Sequence, residues 1–265
     1  MKKFWFVLTA LVATCVLVAC IGSQGVKPQT IKDKKKIVVA TESEFAPFEF
    51  KTLINGKDTL VGADIELAKA IGKKLGVKVE FSVMSFDNVL ASVQSGKADI
   101  AIAGISVTNE RKKVYDFSDS YYTAENVVIV KKDKVNDFTS TDSLAKQTVG
   151  TQKGSVQETV AKKQIPKASV VSLSSNGEMI NELKSGQIQA VVLEKAIAEG
   201  YISQNDDLTL ANFNLKSDGS DAYAVATRKG SDDLLKEINA VIKETKNSGK
   251  FDQWLKEAST YKQSK

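Results

Sequence analysis

Histidine is missing from all 265 residues. Its absence excludes Ser–His and Cys–His nucleophile pairs and every imidazole metal centre. Cysteine is almost missing as well: only Cys15 and Cys20 occur, both near the start. The chain after Cys20 therefore cannot form an internal disulfide, and its stability must come from a packed core. No Gly-x-Ser-x-Gly elbow and no cluster with metal-ligand spacing is found. The apolar-rich run from Phe4 to Ala19 is 16 residues, short of the ~20 that span a bilayer comfortably.

That run follows Lys2 and Lys3 and ends in Leu17-Val18-Ala19-Cys20. A basic start, a short apolar stretch and small residues before a cleavage point describe an export signal over residues 1–19. The ending resembles the lipobox of bacterial lipoproteins. The resemblance implies cleavage before Cys20 and a thioether from its thiol to a diacylglyceryl group. Two acyl chains hold a protein stably on a membrane. The expectation is a lipid-anchored protein on the outer face of the cell membrane, with Cys15 lost along with the signal.

A net charge of +5 suggests an acidic partner until its location is considered. Removing the seven basic residues and one acid before Ile37 leaves 30 basic and 31 acidic residues. The body is neutral, so it carries no electrostatic footprint for nucleic acid. Residues 20–36, with Gly22, Ser23, Gly25 and Pro28, read as a solvated tether.

From Ile37 onward strands and helices alternate. Ile37–Ala40, Lys78–Val83 and Ile100–Ala103 read as strands, and so do Thr148–Val149, Ser169–Leu173 and Ala190–Leu193. Ile65, Ala68, Ile71 and Leu75 recur at helical spacing before Gly76. Further helices are expected at Val89–Gln94, Ser155–Lys163, Gly177–Lys184 and Ala196–Gln204. The pattern is α/β, with mostly parallel sheets flanked by helices. Val89–Ala101 and Met179–Val191 share one grammar at an offset of 90: apolar-faced helix, Ser-Gly stop, three residues, buried strand. Two lobes of similar build follow, 37–127 plus 226–265 and 128–225. Asn126–Val130 and Tyr223–Ala226 are the crossing segments, and the stretch from Ser231 to Trp254 returns to the first lobe. Ligands bind beyond the carboxyl ends of such strands, which predicts a cleft between the lobes.

Several blocks resemble the polar amino-acid-binding proteins of ABC importers. Val38–Phe50 is similar to that family's opening strand and aromatic loop. Gly62–Ala68 is similar to the helix that follows, with Ala63 where an aromatic is usual. Gly96–Lys113, Asp116–Tyr122, Val149–Ser155 and Ala190–Glu194 complete the set in the family's order. The resemblance implies a two-lobed periplasmic-binding-protein-like fold of type II with two crossover strands as hinge. It also implies an amino acid as ligand, a membrane permease as partner and no cofactor; the chain is expected to be a monomer.

The chemistry agrees. A free amino acid is a zwitterion and needs donors at one pole and an acid at the other. Arg111 offers a planar fork for a carboxylate, and Ser106 lies just before a helix start. The resemblance assigns the ligand carboxylate to Ser106 and Arg111 with backbone from Gly104, joined by Ser155 and the N–H of Val156. It assigns the ammonium to Glu194, where an aspartate is usual, and the walls around the ligand side chain to Phe45 and Phe86. Phe48, Phe50 and Phe81 read as core. Family members that take basic amino acids or glutamine have an aspartate at the position of Glu42, so the resemblance implies, through Glu42 with Gln152 and Glu49 as weaker candidates, a polar or basic ligand such as glutamine, arginine or histidine. With ligand anchors split between lobes, binding favours closure. The alternatives are an enzyme on the same fold, a dehydratase or lyase working through carboxylates, and a surface sensing or adhesion module.

Overall fold

The computed structural model describes residues 25–217, 219 and 221–262. The expected signal and Cys20 lie outside the described residues.

Helix α1 (Pro28–Lys34) leads into β1 (Lys36–Thr41), followed by an antiparallel ribbon of β2 (Glu44–Phe45), β3 (Glu49–Ile54) and β4 (Lys57–Val61). Then come α2 (Ala63–Leu75), β5 (Lys78–Val83), α3 (Phe86–Gln94), β6 (Ile100–Ala101), α4 (Asn109–Val114) and β7 (Tyr115–Phe117). The chain passes through β8 (Tyr122–Thr123) into β9 (Asn126–Lys131). Beyond it lie β10 (Thr148–Gln152), α5 (Val156–Gln164), β11 (Ser169–Leu173), α6 (Asn176–Ser185), β12 (Ala190–Glu194), α7 (Lys195–Ser203) and β13 (Leu208–Leu210). It returns through β14 (Ala222–Tyr223) and β15 (Ala226–Arg228) to α8 (Asp232–Asn247) and α9 (Lys250–Ala258).

Two sheets result, ordered β5-β1-β6-β15-β7 and β11-β10-β12-β9-β13. In each sheet four of the five strands run the same way, and one strand that enters at a lobe crossing, β15 or β9, lies antiparallel between two of them. The sheets are thus mixed, mostly parallel with one reversed strand each, because β9 and β15 enter as the chain changes lobes. The internal echo is real at this level. Gly96 after α3 and Gly186 after α6 both take left-handed φ, 77° and 82°, and β6 and β12 hold equivalent places. A residue with a Cβ is strained there, which is why glycine stops each helix.

The expected first crossing segment is itself a strand. Val127, Val128, Ile129 and Val130 are buried in the second sheet, paired with β12 on one edge and β13 on the other. The chain changes sheets just before it, at Ala124–Glu125, and again at Ala224–Val225. Helix α8 buries Leu234, Leu235, Ile238, Val241 and Ile242 at helical spacing and packs on α2, so the C-terminal stretch does return to the first lobe. Phe48 and Phe50 are core, and Phe81 is half-buried against it.

The tether reading fails over its second half. Pro28–Lys34 is helical, opened by Pro28 at its first position, and Ile31 is fully buried. Val26 is buried too, its N–H donating to Ser231 Oγ at 2.8 Å. Two apolar side chains suffice to dock this segment on the first lobe, but they are too few to register as a helical period.

Candidate functional site: an acidic cleft around one guanidinium

Four parallel strands aim their carboxyl ends at one place. Glu42 follows β1, Gly104 and Ser106 follow β6, Gln152 ends β10 with Ser155 just after it, and Glu194 ends β12. Glu42, Ser106, Gln152, Ser155 and Glu194 are all buried despite their polarity. The sequence-derived set therefore converges, apart from Glu49, which lies deeper in the first lobe.

Arg111 sits in the first turn of α4. The Thr108 hydroxyl caps this helix by accepting the Arg111 N–H at 3.1 Å. The guanidinium donates through Nη1 to the Ser106 carbonyl at 2.8 Å and through Nη2 to the Gly154 carbonyl of the opposite lobe at 3.1 Å. It lies 5.8 Å above the Phe86 ring. Burial pulls its pKa down to about 10, against the attraction of Glu194. An arginine so placed keeps its charge at neutral pH.

Glu194 accepts from Gln157 Nε2 at 2.8 Å, and the same amide donates to Asn126 Oδ1 at 2.7 Å. Burial pushes the Glu194 carboxyl up to about 7, opposed by its own backbone, Tyr223, Gln157 and Arg111. The buried Tyr223 hydroxyl stands close enough to act on this charge, without a hydrogen bond of good geometry. Glu42 receives Gln152 Nε2 across the cleft, 3.1 Å from each carboxylate oxygen. Burial lifts Glu42 to about 8; Gln152 lowers it and the charges of Glu44 and Glu194 raise it.

The Ser155 hydroxyl donates to the Gln152 carbonyl at 2.6 Å and caps α5, leaving Val156 at the first helical position. Gly104, expected to lend backbone to the ligand, donates its N–H to Asp64 at 3.0 Å. Gly104 has φ of 53°, and a Cβ there would come within 2.5 Å of the Phe45 ring. Phe45 itself is 3% exposed and packs on Phe48 and Tyr223.

Sequence reasoning missed Gln157, Asn126 and Tyr223. Gln157 was within reach, two residues past Ser155 in the same helical turn; Asn126 and Tyr223 carry no local signal. It also missed the bonds that tie the lobes. Lys153 pairs with Asp87 at 3.0 Å. Glu44 Oε2 accepts from Ser175 Oγ at 2.5 Å and from the Gly177 N–H at 3.0 Å. The lobes are closed on each other. A cavity of about 1060 Å³ opens to the side between α6, α7 and Glu44 and holds none of the expected contacts. Converging buried charge marks the site better than volume does.

Two similar lobes, closed over polar groups at the carboxyl ends of their strands, define a ligand-binding protein of the two-lobed class. Residues 37–258 match the family model of bacterial extracellular solute-binding proteins, family 3, and the chain belongs to that family. It is 35% identical over 261 residues to the arginine-binding extracellular protein ArtP of Bacillus subtilis (strain 168), covering 97% of each chain. It is 32% identical over 277 residues to the glutamine-binding ABC transporter protein GlnH of the same organism, covering 97% of this chain and 98% of that one. Among solved structures, the amino acid ABC transporter substrate-binding protein AbpA of Streptococcus pneumoniae, bound to L-arginine, superposes with a TM-score of 0.86 at 49% identity. That match covers 89% of this chain and 100% of the other. Membership makes the chain a solute-binding protein and not an enzyme, which removes the dehydratase or lyase alternative. No helix among the described residues is long and apolar enough to cross a membrane.

Proposed function

We propose that this protein captures a basic L-amino acid, arginine foremost, between its lobes and delivers it to the permease of an ABC importer. One observation carries the choice: two buried acids, Glu42 and Glu194, share the cleft with a single guanidinium. A zwitterion uses Arg111 for its carboxylate and Glu194 for its ammonium. Glu42 is then left over, held by Gln152, and a cationic side-chain end meets it. Ser106, Ser155 and the N–H of Val156 complete the carboxylate pole, while Phe45 and Phe86 wall the side chain. Arginine is also what the pneumococcal neighbour holds, and the glutamine-binding relative keeps a neutral ligand in view. That second reading is favoured by Glu42 itself, because a protonated Glu42 suits an amide better than a cation.

In this reading the chain divides into its lobes at Ala124–Glu125 and Ala224–Val225, and they close as a monomer around the ligand. Cys20 carries the lipid that keeps the protein on the outer face of the cell membrane.

A thermal-shift screen of the twenty amino acids against the full chain tests the ligand, since whatever binds the native state raises its melting temperature. Arginine is expected to give the largest rise. A rise with glutamine alone selects the second reading, and no rise with any amino acid ends both. Replacing Cys20 with serine is expected to release the protein into the medium; retention at the membrane ends the lipid assignment.

A further inference from the structure

Glu49 and Asp64 meet inside the first lobe, behind the Gly104–Ser106 loop. Glu49 opens β3, Asp64 lies in the first turn of α2, and neither is exposed at all. Asp64 Oδ2 accepts from the Gly104 N–H at 3.0 Å and from the Tyr121 hydroxyl at 2.8 Å. One oxygen of the pair is thereby satisfied. Asp64 Oδ1 and both oxygens of Glu49 find no donor among the other described groups. The two carboxyls touch each other instead. Two ionised carboxylates in contact, sealed from water and short of donors, repel each other with nothing to offset the lost hydration. One proton between them turns the same contact into a hydrogen bond.

We propose that Glu49 is held protonated and donates its O–H to Asp64 Oδ1, and that this pair sets the Gly104–Ser106 loop in the shape that receives the ligand's carboxylate. Asp64 is the ionised member because its other oxygen already has two donors, whereas Glu49 has none. Burial pushes Glu49 well above the carboxylate range and Asp64 to about 6. The groups that face the pair reinforce the arrangement. Whenever Glu42 or Glu194, at the ends of β1 and β12, loses its own proton it adds negative charge here, and the Tyr121 and Tyr223 phenols are buried beside the pair and stay neutral. Every neighbouring acid thus favours keeping the proton. Both residues are positioning residues: they act on the ligand through the Gly104 amide and through Phe45, which packs against Gly104.

The role in binding rests on the cleft reading above, but the proton does not, and two measurements on the full chain separate them. Infrared difference spectroscopy without ligand compares the native protein with Glu49→Gln at neutral pH. The expected result is loss of one carbonyl band of a protonated carboxylic acid; no difference means that Glu49 is ionised and overturns the proposal. Calorimetry with L-arginine and L-glutamine then reads the positioning. Glu49→Gln retains an N–H donor and is expected to bind within about threefold of the native protein, whereas Glu49→Leu loses the donor and at least about tenfold in affinity. Glu49→Asp, a milder change that shortens the reach by one methylene, is expected to lose roughly fivefold. Native affinity in either the leucine or the aspartate variant, whichever folds, removes the positioning role. If the native protein itself binds neither amino acid, the cleft reading fails while the infrared result still stands.

Discussion

Gln152 bridges both carboxylate oxygens of Glu42 from the opposite lobe, at 3.1 Å each. Among the described residues a neutral amide is the one side-chain donor to this buried acid, so Glu42 favours its protonated form until a better partner arrives.

Removing that acid is expected to exchange function for stability. The folded-state pKa of Glu42 rises from 4.5 to about 8, so the folded protein loses stability as pH climbs through that window. Glu42→Gln has no such loss and is expected to be more stable than the native protein at pH 8.5, by on the order of a few kcal/mol, and as stable as the native protein at pH 5. The same variant is expected to lose about a hundredfold or more in arginine affinity, with glutamine affinity largely kept. Melting curves at the two pH values and two titrations check it.

Arginine affinity is expected to rise between pH 6 and pH 8. Below about 8 Glu42 holds a proton that a bound cation must displace, and Glu194, at about 7, must also be ionised to hold an ammonium. Glutamine needs only the second of these, so its affinity is expected to rise less steeply. Calorimetry in two buffers of different ionisation enthalpy reads the protons released; zero release with arginine would contradict an acid at the side-chain pole.

Arg111→Ala is expected to weaken binding of any amino acid by roughly two to three orders of magnitude, since it leaves a carboxylate buried without its partner. Arg111→Lys is expected to recover only part, because an ammonium cannot reproduce the fork that reaches both Ser106 and Gly154. Titration calorimetry decides; native affinity in the alanine variant would take Arg111 out of the site.

Gly104→Ala tests the loop. Its φ of 53° and a Cβ 2.5 Å from the Phe45 ring strain any side chain there. A loss of about 1–3 kcal/mol in stability is expected, with weaker binding as Phe45 is pushed aside. Denaturant unfolding measures the first and calorimetry the second.

The candidate site was legible where chemistry and local position coincide. Arg111, Ser106 and Ser155 lie at helix starts beyond buried strands, and each was found from that placement together with family likeness. Gln157 and Asn126 were not found, because their value comes from meeting near Glu194, 37 and 68 residues further along the chain. The α1 helix escaped for a related reason. Ile31 and Val26 matter only because the surface near Ser231 is there to receive them.

Periodicity and punctuation, being local, were enough on their own to reveal alternating strands and helices, the doubled lobe and the glycine stops at Gly96 and Gly186. Direction within the sheets was not local: β9 and β15 run antiparallel because the chain has to cross between lobes, and no residue in either strand announces it. The ionisation of the buried acids belongs to the tertiary level too. Whether Glu42, Glu49, Asp64 or Glu194 carries a proton depends on water removed and donors supplied by segments far away in the chain, which only folding brings together.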